Sequence, residues 1–377
     1  MPTLSDPPIS PSLAPEQAAP RTLALSFTGD GKEYFRIWVV NLLLSLATLG
    51  IYSAWAKVRR LQYFDRNTVL AGATFDFHGN PKAVLAGRLL SVVLLAAYHY
   101  AFGFSTSFGL VVIAALLLAF PWLMRGALRF RLGNTTYRGL WLGFDGSVAQ
   151  AYAAWLPPAL TFLLPGVLLA LNPAQPAWAA AVLPLYLAWP LMHAGIRRFQ
   201  HAHLLFGDQH SLYALRARRF YRPYLVAGAL ALLAVLATGG MTAFVGLAAG
   251  AGKVGAQVAA LFTGVAAIYL VYLLAGPYMV VRVSNLAWSH TAFPGVRIRS
   301  TLPARGFMKL QTKNALLTLL TLGLYRPFAV VNVYRFRLAH MHIEVDGDIE
   351  TAAHMATRRG GAAGDGAADG FGIDLSW

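Results

Sequence analysis

Residues 41–64 read NLLLSLATLGIYSAWAKVRRLQYF, and residues 314–337 read NALLTLLTLGLYRPFAVVNVYRFR. At a constant offset of 273, Asn41 aligns with Asn314, Thr48-Leu49-Gly50 with Thr321-Leu322-Gly323, Tyr52 with Tyr325, and Trp55 with Phe328. Each copy is an apolar stretch broken by the same polar-and-glycine signature. The side of the membrane on which its two flanks lie decides the topology.

Between the copies lie six stretches, near 84–104, 107–124, 152–171, 178–196, 224–247 and 256–281, long enough to cross a hydrocarbon core, which takes about 20 apolar residues of helix. The turns at 105–106, 172–177 and 248–255 contain only Lys253, whereas 54–83, 125–151, 197–223 and 282–309 hold five, four, six and five Lys/Arg. By the positive-inside rule the second set is cytoplasmic. The chain before Asn314 and the chain after Tyr52 then lie on the same side, and alike repeats place both flanks of each copy there. We therefore expect 34–64 and 307–337 to be helical hairpins bent at Thr-Leu-Gly, entering the membrane without crossing it. Each leg of about 14 residues would be roughly 20 Å long, too short to span. Glycine permits the bend, and the threonine hydroxyls can satisfy backbone groups exposed there. Irregular backbone at depth must be buried in protein, so the hairpins are expected to pack on the six spanning helices and not to face lipid. The competing reading is an eight-helix bundle with both tails outside.

A looser pattern recurs five times, at 58–79, 125–146, 195–208, 280–300 and 332–347: a basic-aromatic helix end, a polar break, then a short strand-like segment. FDFHG, LGFDG, VRIRS and HIEVDG alternate with period two, as short amphipathic strands do. Five copies imply one shared layer. The fold class read from sequence is thus an all-α polytopic membrane protein with six spanning helices, two intramembrane hairpins and short cytoplasmic β segments. Residues 1–22, with six prolines, read as a disordered leader; 23–350 as one integral membrane domain with terminal repeats 34–79 and 307–347; 351–377 as a flexible Gly/Ala/Asp-rich tail.

Composition agrees. Of 377 residues 57% are apolar and only 12% charged, which argues against a soluble cytosolic enzyme. Thirty-one Lys/Arg against fifteen Asp/Glu, a formal charge of +16, points to anionic lipid headgroups as the partner; a nucleic-acid binder has no need of several 20-residue apolar runs. The absence of cysteine removes thiol chemistry and Cys-ligated metal sites.

On FTGDGKEYFRIWVVN (27–41), TLGIYSAWAKVRR (48–60), NTTYRG (134–139), FDG (144–146) and TLGLYRPF (321–328), the sequence resembles the YjgN-type family of bacterial inner-membrane proteins, domain of unknown function 898. The second copy departs from the first, with Arg326-Pro327-Phe328 in place of Ser53-Ala54-Trp55. The resemblance implies a multipass protein of the bacterial inner membrane, with both termini cytoplasmic by the charge reading. It brings no activity, cofactor or catalytic residue.

All fifteen acidic residues lie in tails or connections, which argues against a carrier coupled through an intramembrane carboxylate. Asn41, Thr48, Gly50, Tyr52 and their counterparts Asn314, Thr321, Gly323, Tyr325 are candidates either for hairpin packing or for a shared pathway across a pseudo-symmetry axis. Arg88, inside an apolar run, reads as a snorkelling side chain or an anion contact, and Arg59, Arg60, Arg129 and Arg198 as lipid contacts in a basic-aromatic collar. His201-x-His203 and His340-x-His342 have strand-like spacing for metal, but with few carboxylates near them no metal site, cofactor or enzymatic activity is expected. Two functions remain open: a channel or transporter for a small solute, or a non-transporting scaffold that binds lipid or a partner.

Overall fold

In a computed structural model the described residues are 21–248 and 252–346. The chain is built from five units of one design. In each, a strand leads into a pair of helices and the second helix leads back to a strand paired antiparallel with the first. The first unit is β1 (Arg21–Phe27), α1 (Gly31–Ala47), α2 (Ser53–Arg66) and β2 (Thr68–Leu70). The second is β3 (Ala73–Phe77), α3 (Pro81–Phe104), α4 (Thr106–Gly133) and β4 (Thr135–Tyr137). The third is β5 (Leu140–Phe144), α5 (Val148–Leu171), a 3-10 segment (Pro176–Ala188), α6 (Trp189–His201) and β6 (Leu204–Phe206). The fourth is β7 (Gln209–His210), β8 (Leu212–Tyr213), α7 (Tyr221–Ala248), α8 (Lys253–Trp288) and β9 (Thr291–Phe293). The fifth is β10 (Val296–Ser300), α9 (Ala304–Leu320), α10 (Arg326–Leu338) and β11 (Met341–Val345).

Pairing within each unit is matched by pairing between units, β2 with β3, β4 with β5, β6 with β7 and β9 with β10. Ala71-Gly72 and Arg138-Gly139 turn two of these links with both residues at positive φ, the backbone a two-residue hairpin needs to match strand twist. The last strand returns to the first, Arg21 opposite Val345 and Ala24 opposite His342. All eleven strands thus form one antiparallel sheet whose order follows the chain around a ring. Its two ends, β7 and β8, are separated by Ser211 alone, so the chain itself bridges the gap. The buried Ser211 hydroxyl donates to the His201 carbonyl at 2.8 Å and accepts from Leu204 N–H at 2.9 Å, while its own N–H donates to Leu204 O.

One hydrogen bond locks all five units in the same place. The N–H just beyond the leading strand donates to the carbonyl just before the returning one: Thr28 to Asn67, His78 to Asn134, Asp145 to His203, Ala214 to His290 and Thr301 to His340, at 2.8–3.2 Å. Those five carbonyl residues also cap the preceding helix with their own side chains. Asn67 and Asn134 donate Nδ2–H to Tyr63 O and Phe130 O, and His203, His290 and His340 donate Nδ1–H to Phe199 O, Leu286 O and Phe336 O. Each places a side-chain donor on a carbonyl of the last helical turn, where intrahelical donors run out. At Gly29, Gly79 and Gly146 a Cβ would fall within 3 Å of Phe27, Phe77 and Phe144, so the chain can leave those strands only over glycine.

Six helical segments, Pro81–Ala101, Thr106–Gly133, Val148–Leu171, Ala177–His201, Ala217–Phe244 and Gln257–Trp288, are long and apolar enough to cross a membrane, at the places the sequence indicates. Little of their surface is buried, and side chains such as Leu89, Leu95, Phe162, Leu232 and Leu261 point outward, as helices in lipid do. Within the fourth span the first half is 3-10 and not α, with Pro184 inside it and Pro190 beyond it removing backbone donors.

Three expectations need correction. The fold is not all-α, because the short β segments join into one ring. The leader ends earlier than residue 22, since Arg21 and Thr22 belong to β1 and pair with Val345 and Glu344; the rest of it, and the 351–377 tail, lie outside the described residues. The repeated segments 34–64 and 307–337 each pack one leg on a spanning helix, α2 on α3 and α9 on α8, but do not bury their bends there. α1 packs on α2 and α10, and α9 on α8 and α10, with Phe35 stacked on Phe328, while Leu49 and Leu322 at the bends are 96% and 94% exposed.

Candidate functional site

The ring encloses a cavity of about 270 Å³. Strand side chains furnish an apolar wall, including Leu25, Leu70, Phe75, Leu142, Phe206, Phe293, Ile298 and Ile343. Their inward position follows from strand periodicity: on β10 Val296 and Ile298 line the cavity while Arg297 and Arg299 alternate with them. Tyr137 is held in this wall by stacking on Phe75 at 4.6 Å and by donating its hydroxyl to Leu70 O at 2.8 Å. Burial raises its phenol pKa, partly offset by the charge of Arg138.

The helix-facing end is different. There the last turns of α2, α4, α8 and α10 contribute Asp65, Arg131, Ser284, Tyr334 and Arg337, joined by Thr68 and Thr135. Arg131 grips Asp65 with Nη1 and Nη2, each 2.8 Å from a carboxylate oxygen, and Nη1 also donates to Thr135 Oγ1. The two side chains are 16% and 6% exposed. A fork-to-fork pair of this kind is the strong form of a charged hydrogen bond. Thr68 and Tyr334 hydroxyls share a hydrogen bond of 2.9 Å, and Tyr334 lies in the field of Asp65, Arg131 and Arg337 together. Among the described residues the charged groups lining the cavity are Asp65, Arg131 and Arg337.

A family profile described as "Bacterial protein of unknown function (DUF898)" matches residues 22–370. The chain belongs to this family. It is 34% identical over 147 residues to inner membrane protein YjgN of Salmonella typhimurium, covering 37% of this chain and 35% of that protein. It is 28% identical over 145 residues to inner membrane protein YjgN of Escherichia coli O157:H7, covering 37% and 34%. The chain thus spans about a third of the length of the curated relatives it matches. No solved structure matches it. The six long apolar helices and these inner-membrane relatives make this DUF898 member a membrane protein.

The residues singled out by the repeat sit away from the cavity. Thr48 and Thr321 build the bends: each donates Oγ1–H to the carbonyl four residues back, Leu44 or Leu317, at 2.7 Å and accepts from the N–H of Tyr52 or Tyr325 at 2.9 Å. Gly50 and Gly323 turn the chain there at φ of +91° and +94°. Asn41 and Asn314 are buried on the longer legs. Asn314 donates to Ala329 O, and both amide oxygens are buried without a hydrogen-bond partner among the described residues.

The Arg88 guanidinium bonds Ser53 Oγ and so ties α3 to the start of α2. Arg59 and Arg198 are exposed, and Arg60 and Arg129 half-buried. His203 and His340 are the helix caps described above, and His201 bonds Thr291, which accounts for three of the four histidines with metal-like spacing. The ring-cavity residues Asp65, Arg131 and Arg337 were missed. A signal for one of them existed: Asp65 sits in the last turn of a helix, where the backbone dipole disfavours an acid, so its presence there calls for a cation from elsewhere.

Proposed function

We propose that this protein binds amphiphiles drawn from the inner leaflet, with the strand ring on the cytoplasmic side and its cavity receiving the hydrocarbon. The arginine-rich helix ends beside the ring support that orientation. One observation carries the reading: the ring holds a mostly apolar cavity whose charged lining groups, Asp65, Arg131 and Arg337, all come from helix ends. Ligand sites of this make-up bury an apolar body and orient it by a small number of placed polar groups.

The test uses the full chain in nanodiscs with decanol as probe. Native mass spectrometry should show decanol retained by the natural chain and lost from Leu142→Trp, which fills the cavity. Because that variant can also fail to fold, a cysteine is placed at Leu142, with Leu212→Cys on the exposed part of the ring as control. Decanol should slow methanethiosulfonate labelling saturably at 142 and leave 212 unchanged. Equal retention by natural and filled chains, or equal labelling with and without decanol, overturns the reading.

A second reading, a solute pathway along the two repeated hairpins dipping into the membrane, is favoured by the buried, unpaired amide oxygens of Asn41 and Asn314. Proteoliposome flux of small polar solutes that falls in both Asn41→Ala and Asn314→Ala would support it over amphiphile binding.

A further inference from the structure

We infer that Arg197 and Tyr213 hold one phosphate-type oxyanion, free or as a lipid headgroup, where the ring-side end of α6 meets β8. Neither residue lines the ring cavity, so the inference stands independently of the amphiphile reading.

His193, Arg197 and His201 recur every four residues and share one face of α6. A tyrosine holds each end of that row: His193 Nδ1 lies 2.8 Å from the Tyr224 hydroxyl, and the His201 ring stacks on Tyr213 at 5.8 Å. Arg197 stands between them, half-buried, whereas Arg198 beside it is exposed. Its Nε–H donates to His193 Nε2 at 3.4 Å and its Nη1–H to Gln200 Oε1 at 3.1 Å. An imidazole that accepts a hydrogen bond is neutral, and so is an amide. Among the described residues every hydrogen-bond partner of this guanidinium is therefore uncharged, and no carboxylate pairs with it. The carbonyls at the end of α6 supply a partial charge of about −0.5, too little to balance a full positive one. A guanidinium carries five N–H groups, so these bonds leave Nη2 and one Nη1–H with no hydrogen-bond partner among the described residues.

Tyr213 supplies the second half of the site. Its hydroxyl is buried and bonded to nothing among the described residues. Burial pushes its phenol pKa up to about 12, while the nearby charge of Arg197 pulls the other way. A phenol that stays protonated is a hydrogen-bond donor. The spare N–H groups of Arg197 and the spare O–H of Tyr213 lack the same thing, an acceptor bearing negative charge. Charge left unpaired away from water is costly, and two oxygens of a phosphate match the planar fork of arginine. Arg197 lies near the end of the spanning segment Ala177–His201, the level at which headgroups sit.

The experiment uses the full chain in phosphate-free dodecyl maltoside and follows thermal unfolding. The probes are inorganic phosphate, dihexanoyl phosphatidic acid and, as the phosphate-free control, dihexanoylglycerol, with chloride holding ionic strength constant. The two phosphate-bearing probes should raise the unfolding midpoint saturably, as ligands of a folded state do, and dihexanoylglycerol should not. Arg197→Gln should lose the rise. Because that variant can also fail to fold, Tyr213→Phe removes a single oxygen that bonds nothing among the described residues. It should need roughly tenfold more phosphate for the same rise. Arg297→Gln, which removes an exposed charge on β10, should respond as the natural chain does.

Phosphatidic acid acting at an about tenfold lower concentration than inorganic phosphate supports the site and assigns it to a lipid headgroup; equal concentrations support it and assign it to a free anion. No saturable rise with either probe overturns the inference, as does an unchanged response in Arg197→Gln or Tyr213→Phe. Loss of the rise in Arg297→Gln as well as in Arg197→Gln shows general surface charge at work, and also overturns it.

Discussion

Arg131 at the end of α4 and Asp65 at the end of α2 are joined by two parallel hydrogen bonds of 2.8 Å, so the first and second units of the ring meet through a desolvated ion pair. Desolvation makes the pair lopsided in its effects. Removing one partner strands the other charge, whereas replacing both with apolar groups of similar size removes the need for either. We expect Asp65→Asn to destabilise the protein by about 3–5 kcal/mol. The double variant Asp65→Leu/Arg131→Met should recover most of that loss. Denaturation of the three proteins in one detergent reads the difference; a double variant as unstable as the single one would mean the pair adds more than charge balance.

Ser211 closes the ring by an equally local device. It supplies one hydroxyl that accepts from Leu204 N–H and donates to His201 O, at the only place where the order of strands is interrupted. Ser211→Ala leaves a buried N–H and a buried carbonyl without that partner. A loss of about 1–3 kcal/mol is expected. Leu212→Ser, one residue on and 63% exposed, should change stability by much less. The same detergent unfolding experiment separates them.

At the bends, glycine is required for its backbone and not for space. Gly50 and Gly323 lie at φ of +91° and +94°, yet nothing stands within 4 Å of where a Cβ would be. Gly50→Ala and Gly323→Ala should therefore each cost about 1–2 kcal/mol through backbone strain alone. Gly79→Ala, whose Cβ would sit 2.4 Å from Phe77, should be clearly worse because it adds a clash within a buried cluster. Thermal unfolding of the three variants tests the ranking.

The spans were legible because length and unbroken apolarity are local properties: 84–104 falls inside α3 and 152–171 inside α5. Period-two alternation likewise revealed β3, β5, β10 and β11 as FDFHG, LGFDG, VRIRS and HIEVDG. The ring those strands make was not legible. Its closure pairs Arg21 with Val345 from opposite ends of the chain, and no local pattern states which strand meets which. The cavity follows from that closure, so its residues were hidden too. Asn67 and His203 show the same limit at finer scale: an amide and an imidazole occupy equivalent capping positions, so residue identity masks the equivalence that the hydrogen bonds reveal.

Helix length bears on which surfaces the five helix pairs reach. All start and end at the one ring, yet α1 and α2 have 17 and 14 residues, whereas α3 and α4 have 24 and 28. At 1.5 Å per residue the first pair rises roughly 20–26 Å and the second roughly 36–42 Å, against about 30 Å of hydrocarbon. If the ring lies at the cytoplasmic surface, the bends at Leu49 and Leu322 stop inside the bilayer, while Ser105 and Asn172 emerge on the far side. The chain has no cysteine, so single cysteines report without background. Arg138→Cys and Asp208→Cys, at exposed turns of the ring, should react with a membrane-impermeant maleimide only from the cytoplasm. Ser105→Cys and Asn172→Cys should react only from the periplasm, and Leu49→Cys and Leu322→Cys from neither side in intact membranes, yet readily after solubilisation. Periplasmic labelling at 49 or 322 would mean that the repeated hairpins cross, and labelling of 138 from the periplasm would invert the whole orientation.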